Sequence, residues 1–173
     1  MRRLLSPFFR LLRFFPMWMT RLLFWAAGQK FVVGAALIVM NPTQEVLFFH
    51  HTYRNKRSEW SLPGGWMKLG ETPEEGLARE VFEESRLRVK VTKLLSLRVS
   101  DRFPRYDLIY LGELEGGEFK PSDEVDQFRF IPLAELPELL PAARQAVQDA
   151  AREIAAREVA ARAESQPGKM EAP

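Results

Sequence analysis

The chain of 173 residues contains no cysteine and only two histidines. Without thiols there are no disulfide staples, no thiolate zinc sites and no cysteine nucleophile, and nothing points to an oxidising compartment. No uninterrupted apolar run reaches the ~18–20 residues that span a bilayer, because Arg13 and Arg21 cut the N-terminal one. No internal repeat is evident. Residues 1–30 contain no acid, yet they carry Arg2, Arg3, Arg10, Arg13, Arg21 and Lys30. The formal net charge of +2 therefore conceals a net negative remainder. What is present, 46% hydrophobic and 28% charged residues, is the composition of a folded domain. The length suffices for one core with terminal extensions.

The basic stretch 1–30 reads as an extension. On a helical wheel its five arginines fall within a sector of roughly 100°, and Leu, Phe and Trp fill most of the rest. That pattern suits a helix lying in a membrane interface. Pro7 and Pro16 are expected to break it into two short pieces. The competing reading packs these apolar residues on the domain or on a second copy in a homodimer. Charges interrupt any signal-peptide core. The expected location is cytoplasmic, with residues 1–27 touching the inner face of the membrane.

Residues 31–140 read as the domain body. Phe31–Met40 is β-branched and continuously apolar, as in a strand buried on both faces. Glu45–His50 follows across an Asn-Pro-Thr-Gln turn and is expected to close a hairpin. Trp60–Pro63 is extended and leads into Gly64-Gly65. Thr72, Pro73 and Glu75 form a capping box with proline at the first helical position, so a helix is expected from Pro73 to about Ser85. Strands are expected at 88–99, 106–113, 118–119 and 127–131, with a closing helical segment beginning near Pro132. Adjacent His50 and His51 point to opposite sides of a strand and make poor joint metal ligands. Residues 141–164 are rich in Ala, Arg and Glu and read as a helix with a thin apolar seam around Val147 and Ile154. Residues 165–173 read as a disordered tail. The order of elements gives an α+β domain with a mixed sheet.

Chemistry concentrates in Gly65–Leu87. On a helix, Glu80, Glu83 and Glu84 share one narrow face, while Leu77, Ala78, Val81 and Phe82 read as the side that packs on a core. Three crowded carboxylates repel unless a cation sits among them, and hard oxygen ligands suit Mg²⁺ or Mn²⁺.

Gly65, Glu71, Arg79-Glu80-Val81, Glu83-Glu84 and Leu87, at these spacings, resemble the Nudix box of the Nudix hydrolases. The one departure is Arg86, where the box usually has Gly just past the helix. A left-handed cap there is expected to cost Arg86 about 1–2 kcal/mol without removing a ligand. The resemblance covers residues 31–140. It implies an α/β/α sandwich and divalent-metal-dependent hydrolysis of a nucleoside diphosphate linked to another moiety. It further implies Glu80 and Glu84 as principal metal ligands, Glu83 as a further ligand or base, and a metal contact from the carbonyl of Gly64 or Gly65. Arg79 would orient the glutamates, and Glu71 would hold Arg79 or sit in the outer metal shell. The family places its general base either in the box or on a later loop; Glu124 is the downstream candidate here. A non-catalytic ligand sensor is the alternative, although such domains are expected to lose glutamates that this chain keeps. No basic or aromatic surface for DNA or RNA is legible.

Overall fold

The computed structural model describes residues 16–28, 30–54, 59–100 and 104–164. It divides into two compact units, Met1–Phe31 and Val32–Pro173. In the first, helix α1 (Met17–Ala27) starts immediately after Pro16, which is where a proline break places a new helix. The earlier piece, with Arg2, Arg3, Arg10 and Arg13, lies outside the described residues, as do Lys56, Arg57 and the tail from 165. Among the described residues no helix is long and apolar enough to cross a membrane.

The second unit runs β1 (Val32–Val39), β2 (Glu45–His51), β3 (Trp60–Ser61), β4 (Gly64–Trp66), α2 (Pro73–Ser85), β5 (Arg88–Val99), β6 (Arg105–Gly116), β7 (Val125–Pro132) and α3 (Pro141–Glu164). The expected β1–β2 hairpin does not form. One bridge, Met40 to Val46, joins the strands at the turn, and they then part into separate sheets. β1 sits inside a mixed sheet of order β4-β1-β6-β5, parallel to β6, and β2 sits inside an antiparallel sheet of order β3-β2-β7. Burial explains the split. Leu37, Ile38 and Val39 of β1 and Val46 to Phe49 of β2 are all buried, so each strand needs cover on both faces. That cover comes from the two cores, one holding residues of α2 and the other residues of α3.

Side chains alternate between two cores. Leu37, Leu47, Phe49, Leu77, Val81 and Val125 belong to one, under α2. Ile38, Val46, Phe48, Ile109, Val147 and Ala150 belong to the other, under α3. The α3 seam thus packs on the body of its own chain, and sheet lies between helices as an α/β/α sandwich. Leu77 and Val81 are fully buried, each worth about 1.5–3 kcal/mol, which fastens α2 to the sheets.

Three further expectations need correction. Glu118–Phe119 is not a strand; β6 continues to Gly116, and Phe119 packs against the first core instead. No helical segment begins near Pro132, because β7 runs through Pro132; helix α3 occupies Pro141–Glu164. Phe82 is 41% exposed rather than core-facing. It lies two residues from Glu80 and Glu84 but about 100° round the helix from Val81, on the far side from Leu77.

Helix α2 begins and ends as its sequence demands. The Thr72 hydroxyl accepts from the Glu75 N–H at 3.2 Å, and the Glu75 carboxylate accepts from the Thr72 N–H at 2.8 Å. Arg86 closes the helix in the left-handed region at φ 62°, its N–H donating to the Phe82 carbonyl. Its guanidinium lies 5.2 Å from the Phe82 ring centroid, a contact that offsets part of the backbone strain. Arg86→Gly should therefore stabilise the domain by only about 0.5–1 kcal/mol, read as a higher urea midpoint, and leave activity unchanged. A drop in stability would show that the Arg86–Phe82 contact outweighs the strain.

Candidate active site

The site is built on the exposed edge of α2 and the β4 turn that precedes it. Arg79 is its hub. Its Nε and NH2 donate to the two Glu71 carboxylate oxygens at 2.9 and 2.8 Å, a bidentate pairing of high geometric specificity. NH1 donates to Glu80 at 2.7 Å and to Glu83 at 3.1 Å, and NH2 reaches the Trp66 carbonyl at 3.2 Å. The Lys68 N–H also donates to Glu71. The Arg79 hydrogen bonds, then that of Lys68, hold the Glu71 carboxyl down at about 2, while the Glu71 hydrogen bond first of all holds the Arg79 guanidinium firmly charged. One cation thus ties β4, the loop after it and two acids of α2 into a single piece.

Two glycines complete this frame. A Cβ on Gly65 would lie 2.6 Å from Glu80 Oε2, so the bare backbone forms a cradle for that carboxylate. A Cβ on Gly76 would lie 2.4 Å from Met67 Sδ and 2.8 Å from Glu71 Oε1. The role of Gly76 was not read from the sequence. Its signal was there, since a glycine inside a helix costs about 1 kcal/mol against alanine and calls for a packing reason.

Glu84 stands apart from the Arg79 network. It is 7% exposed, and its Oε2 is buried without a hydrogen-bond partner. Burial, then the charges of Glu80 and Glu124, push its carboxyl up to about 8; Arg54 pulls the other way and Glu83 adds to the rise. Glu124, just before β7, thus acts electrostatically on the box. The Thr52 N–H donates to the Glu124 carbonyl at 3.0 Å and the Thr52 hydroxyl to the Asp123 carbonyl at 2.7 Å, clamping the start of β7 to the end of β2.

The same clamp brings His51. It is 1% exposed, neither ring nitrogen has a hydrogen-bond partner, and the ring meets Tyr53 edge-on at 5.6 Å. Burial, then the charge of Arg54, lowers its pKa to about 4, so the imidazole is neutral at ordinary pH. His50 points the other way, its Nδ1 2.5 Å from Asp126 and its ring 5.1 Å from Trp60. The two histidines are therefore not joint ligands. Arg54, just past β2, acts on both His51 and Glu84.

Among the described residues, no three His, Asp or Glu side chains already stand in ligand geometry; Arg79 NH1 bridges Glu80 and Glu83. The donor set nonetheless fits a hard divalent cation. A buried carboxylate oxygen lacks a partner, three further carboxylates raise its pKa, and the Gly65 backbone leaves room beside Glu80. A cation relieves that crowding.

The NUDIX domain model matches residues 30–154. The chain belongs to the NUDIX family. This NUDIX chain is 36% identical over 97 residues to the ADP-ribose pyrophosphatase of Methanocaldococcus jannaschii, covering 54% of this chain and 57% of that protein. It is 36% identical over 105 residues to the 8-oxo-dGDP phosphatase of Homo sapiens, covering 58% of this chain and 32% of that one. The match thus spans between a third and three fifths of these relatives' own lengths. Among solved structures, an ADP-ribose pyrophosphatase from Streptococcus suis superposes with a TM-score of 0.59 at 23% identity, covering 70% of this chain and 92% of that one. This last comparison establishes a shared NUDIX fold.

Proposed function

We propose that this chain is a divalent-metal-dependent Nudix pyrophosphatase that hydrolyses a nucleoside diphosphate linked to another moiety. The observation that carries the reading is Glu84: a buried carboxylate with an unpartnered oxygen, crowded by Glu80, Glu83 and Glu124. As a purely structural residue it is a liability, since an unpaired buried carboxylate costs several kcal/mol in pKa shift alone. As a ligand it is preorganised.

Glu80 and Glu84 would hold Mg²⁺ or Mn²⁺, with Glu83 and the carbonyl of Gly64 or Gly65 as further donors. When bound, the ion would supply charge neutralisation for the diphosphate and acidification of the attacking water. Arg79 and Glu71 fix where Glu80 stands. Arg54, a cation facing the acidic cluster, binds a phosphate oxygen and keeps the Glu84 side of the site compatible with an anionic substrate. Glu124 accepts the proton of the attacking water as its oxygen bonds to phosphorus and the bridging P–O bond breaks; Glu83, half exposed to solvent, is the alternative acceptor. The sensor reading is set aside because Glu71, Glu80, Glu83 and Glu84 are all present, and Arg79 holds the first three in one network.

A substrate panel tests the proposal. ADP-ribose and 8-oxo-dGDP, the compounds in the relatives' names, should head it, followed by nucleoside diphosphate sugars and dinucleotides, each with Mg²⁺ and with Mn²⁺. Cleavage of at least one compound is expected, abolished by EDTA. If no diphosphate bond is cut with either metal, the catalytic reading fails.

A further inference from the structure

Helix α1 presents an apolar face to solvent. At about 100° per residue, Met17, Trp25, Trp18, Leu22 and Ala26 succeed one another around half its circumference, and all are exposed, Trp18 at 66% and Trp25 at 65%. Exposed indoles at this density mark an interaction surface. Charge identifies what it meets. The first acid in the chain is Glu45, so the whole stretch before it is cationic or neutral. Exposed Arg21 sits within the apolar face, and the Lys30 ammonium lies 3.8 Å from the Trp25 ring centroid. Apolar side chains, indoles and cations on one face match a lipid interface, where acyl chains take the first, the headgroup level takes the second and phosphates take the third. At 11 residues and about 1.5 Å per residue, α1 is too short to cross a bilayer.

We propose that α1 lies in the plane of an anionic membrane surface, with Trp18, Leu22 and Trp25 in the acyl boundary and Arg21 and Lys30 at the lipid phosphates. This goes beyond the hydrolase reading and does not depend on it.

Co-sedimentation of the full chain with vesicles tests it. The protein should pellet with phosphatidylcholine vesicles that contain phosphatidylglycerol and remain in solution with phosphatidylcholine alone. Trp18→Ser combined with Trp25→Ser should weaken partition at least about tenfold, and raised salt should weaken it in the wild type. An unchanged circular dichroism spectrum and unchanged hydrolysis in solution would show that the double variant is folded. Equal partition of wild type and variant, or no partition of the wild type into either vesicle, overturns the proposal. So does a dimer by light scattering that the double variant converts to monomer while vesicle binding is absent, since the face would then belong to a second copy.

Discussion

Glu84→Gln should lower kcat by about 10²–10³-fold, and it should do so without destabilising the protein. The kinetic loss follows from removing one charged ligand from a site that contributes several kcal/mol of charge stabilisation in the transition state. The stability follows from the surroundings. Glutamine fills the same volume but carries no charge for Glu80 and Glu124 to oppose. A residue kept for packing or pairing would behave the opposite way, losing stability and keeping chemistry. If Glu84→Gln turns over substrate as fast as the wild type, the ligand assignment is wrong.

The same residue sets a pH signature in the metal-free protein. Glu84 ionises near 4.5 when unfolded and near 8 when folded. Between these values the folded state holds a proton that the unfolded state has lost, so stability falls as pH rises. His51 works in the other direction. It protonates near 6.5 unfolded and near 4 folded, so its contribution is lost as pH falls from 6.5 towards 4. The two oppose each other over the shared part of the range. Above 6.5 only Glu84 acts, and the melting temperature in EDTA should drop between pH 6.5 and 8, by on the order of 1–2 kcal/mol in stability. Mg²⁺ binds the ionised carboxylate and should remove the drop; Glu84→Gln should remove it without metal. A flat profile in EDTA would deny that Glu84 is protonated in the empty fold.

The box itself was legible because its logic is local. Thr72, Pro73 and Glu75 start α2, the 3.6-residue period gathers Glu80, Glu83 and Glu84, and eight residues of spacing let Arg79 reach back to Glu71. What separates the three glutamates was not legible. Arg79 engages Glu80 and Glu83 but leaves Glu84, which is buried and feels the charges of Glu124 and Arg54. The approach of Glu124 depends on Thr52 meeting Asp123 and Glu124, some seventy residues away, a pairing no periodicity encodes. The failed β1–β2 hairpin has a related cause. Sequence neighbours with a turn between them suggest pairing, but two strands that are apolar on both faces compete for cover, and the tertiary solution of two sheets wins. Phe82 and Arg86 show the limit at the helix end, where an apolar residue near the cap stayed outside and gained a cation instead of a core.

Gly64 and Gly65 are adjacent, yet alanine at each should fail differently. Gly64 has φ +146°, a region that side chains rarely adopt, and its added Cβ would lie 2.2 Å from the Ala35 carbonyl oxygen and 2.8 Å from the Ala36 Cα. Both atoms are backbone of β1, paired to β4 in register at Ala36 and Gly64, so nothing yields without breaking that pairing. Gly64→Ala should cost about 3–5 kcal/mol and show as a large fall in melting temperature. At Gly65 the Cβ would meet the Glu80 side chain, 2.6 Å from Oε2 and 2.7 Å from Cδ. A side-chain end can move, so stability should change by less than about 1 kcal/mol. Displacing it, however, pulls Glu80 away from the position that Arg79 holds at 2.7 Å. Disturbing the support of a ligand typically costs about 10–100-fold in metal affinity or activity, so a Mn²⁺ titration of Gly65→Ala should show that loss while its melting curve stays near wild type. If instead Gly65→Ala melts early and binds Mn²⁺ normally, the glycine serves strand packing alone and the carboxylate cradle is no part of the metal site.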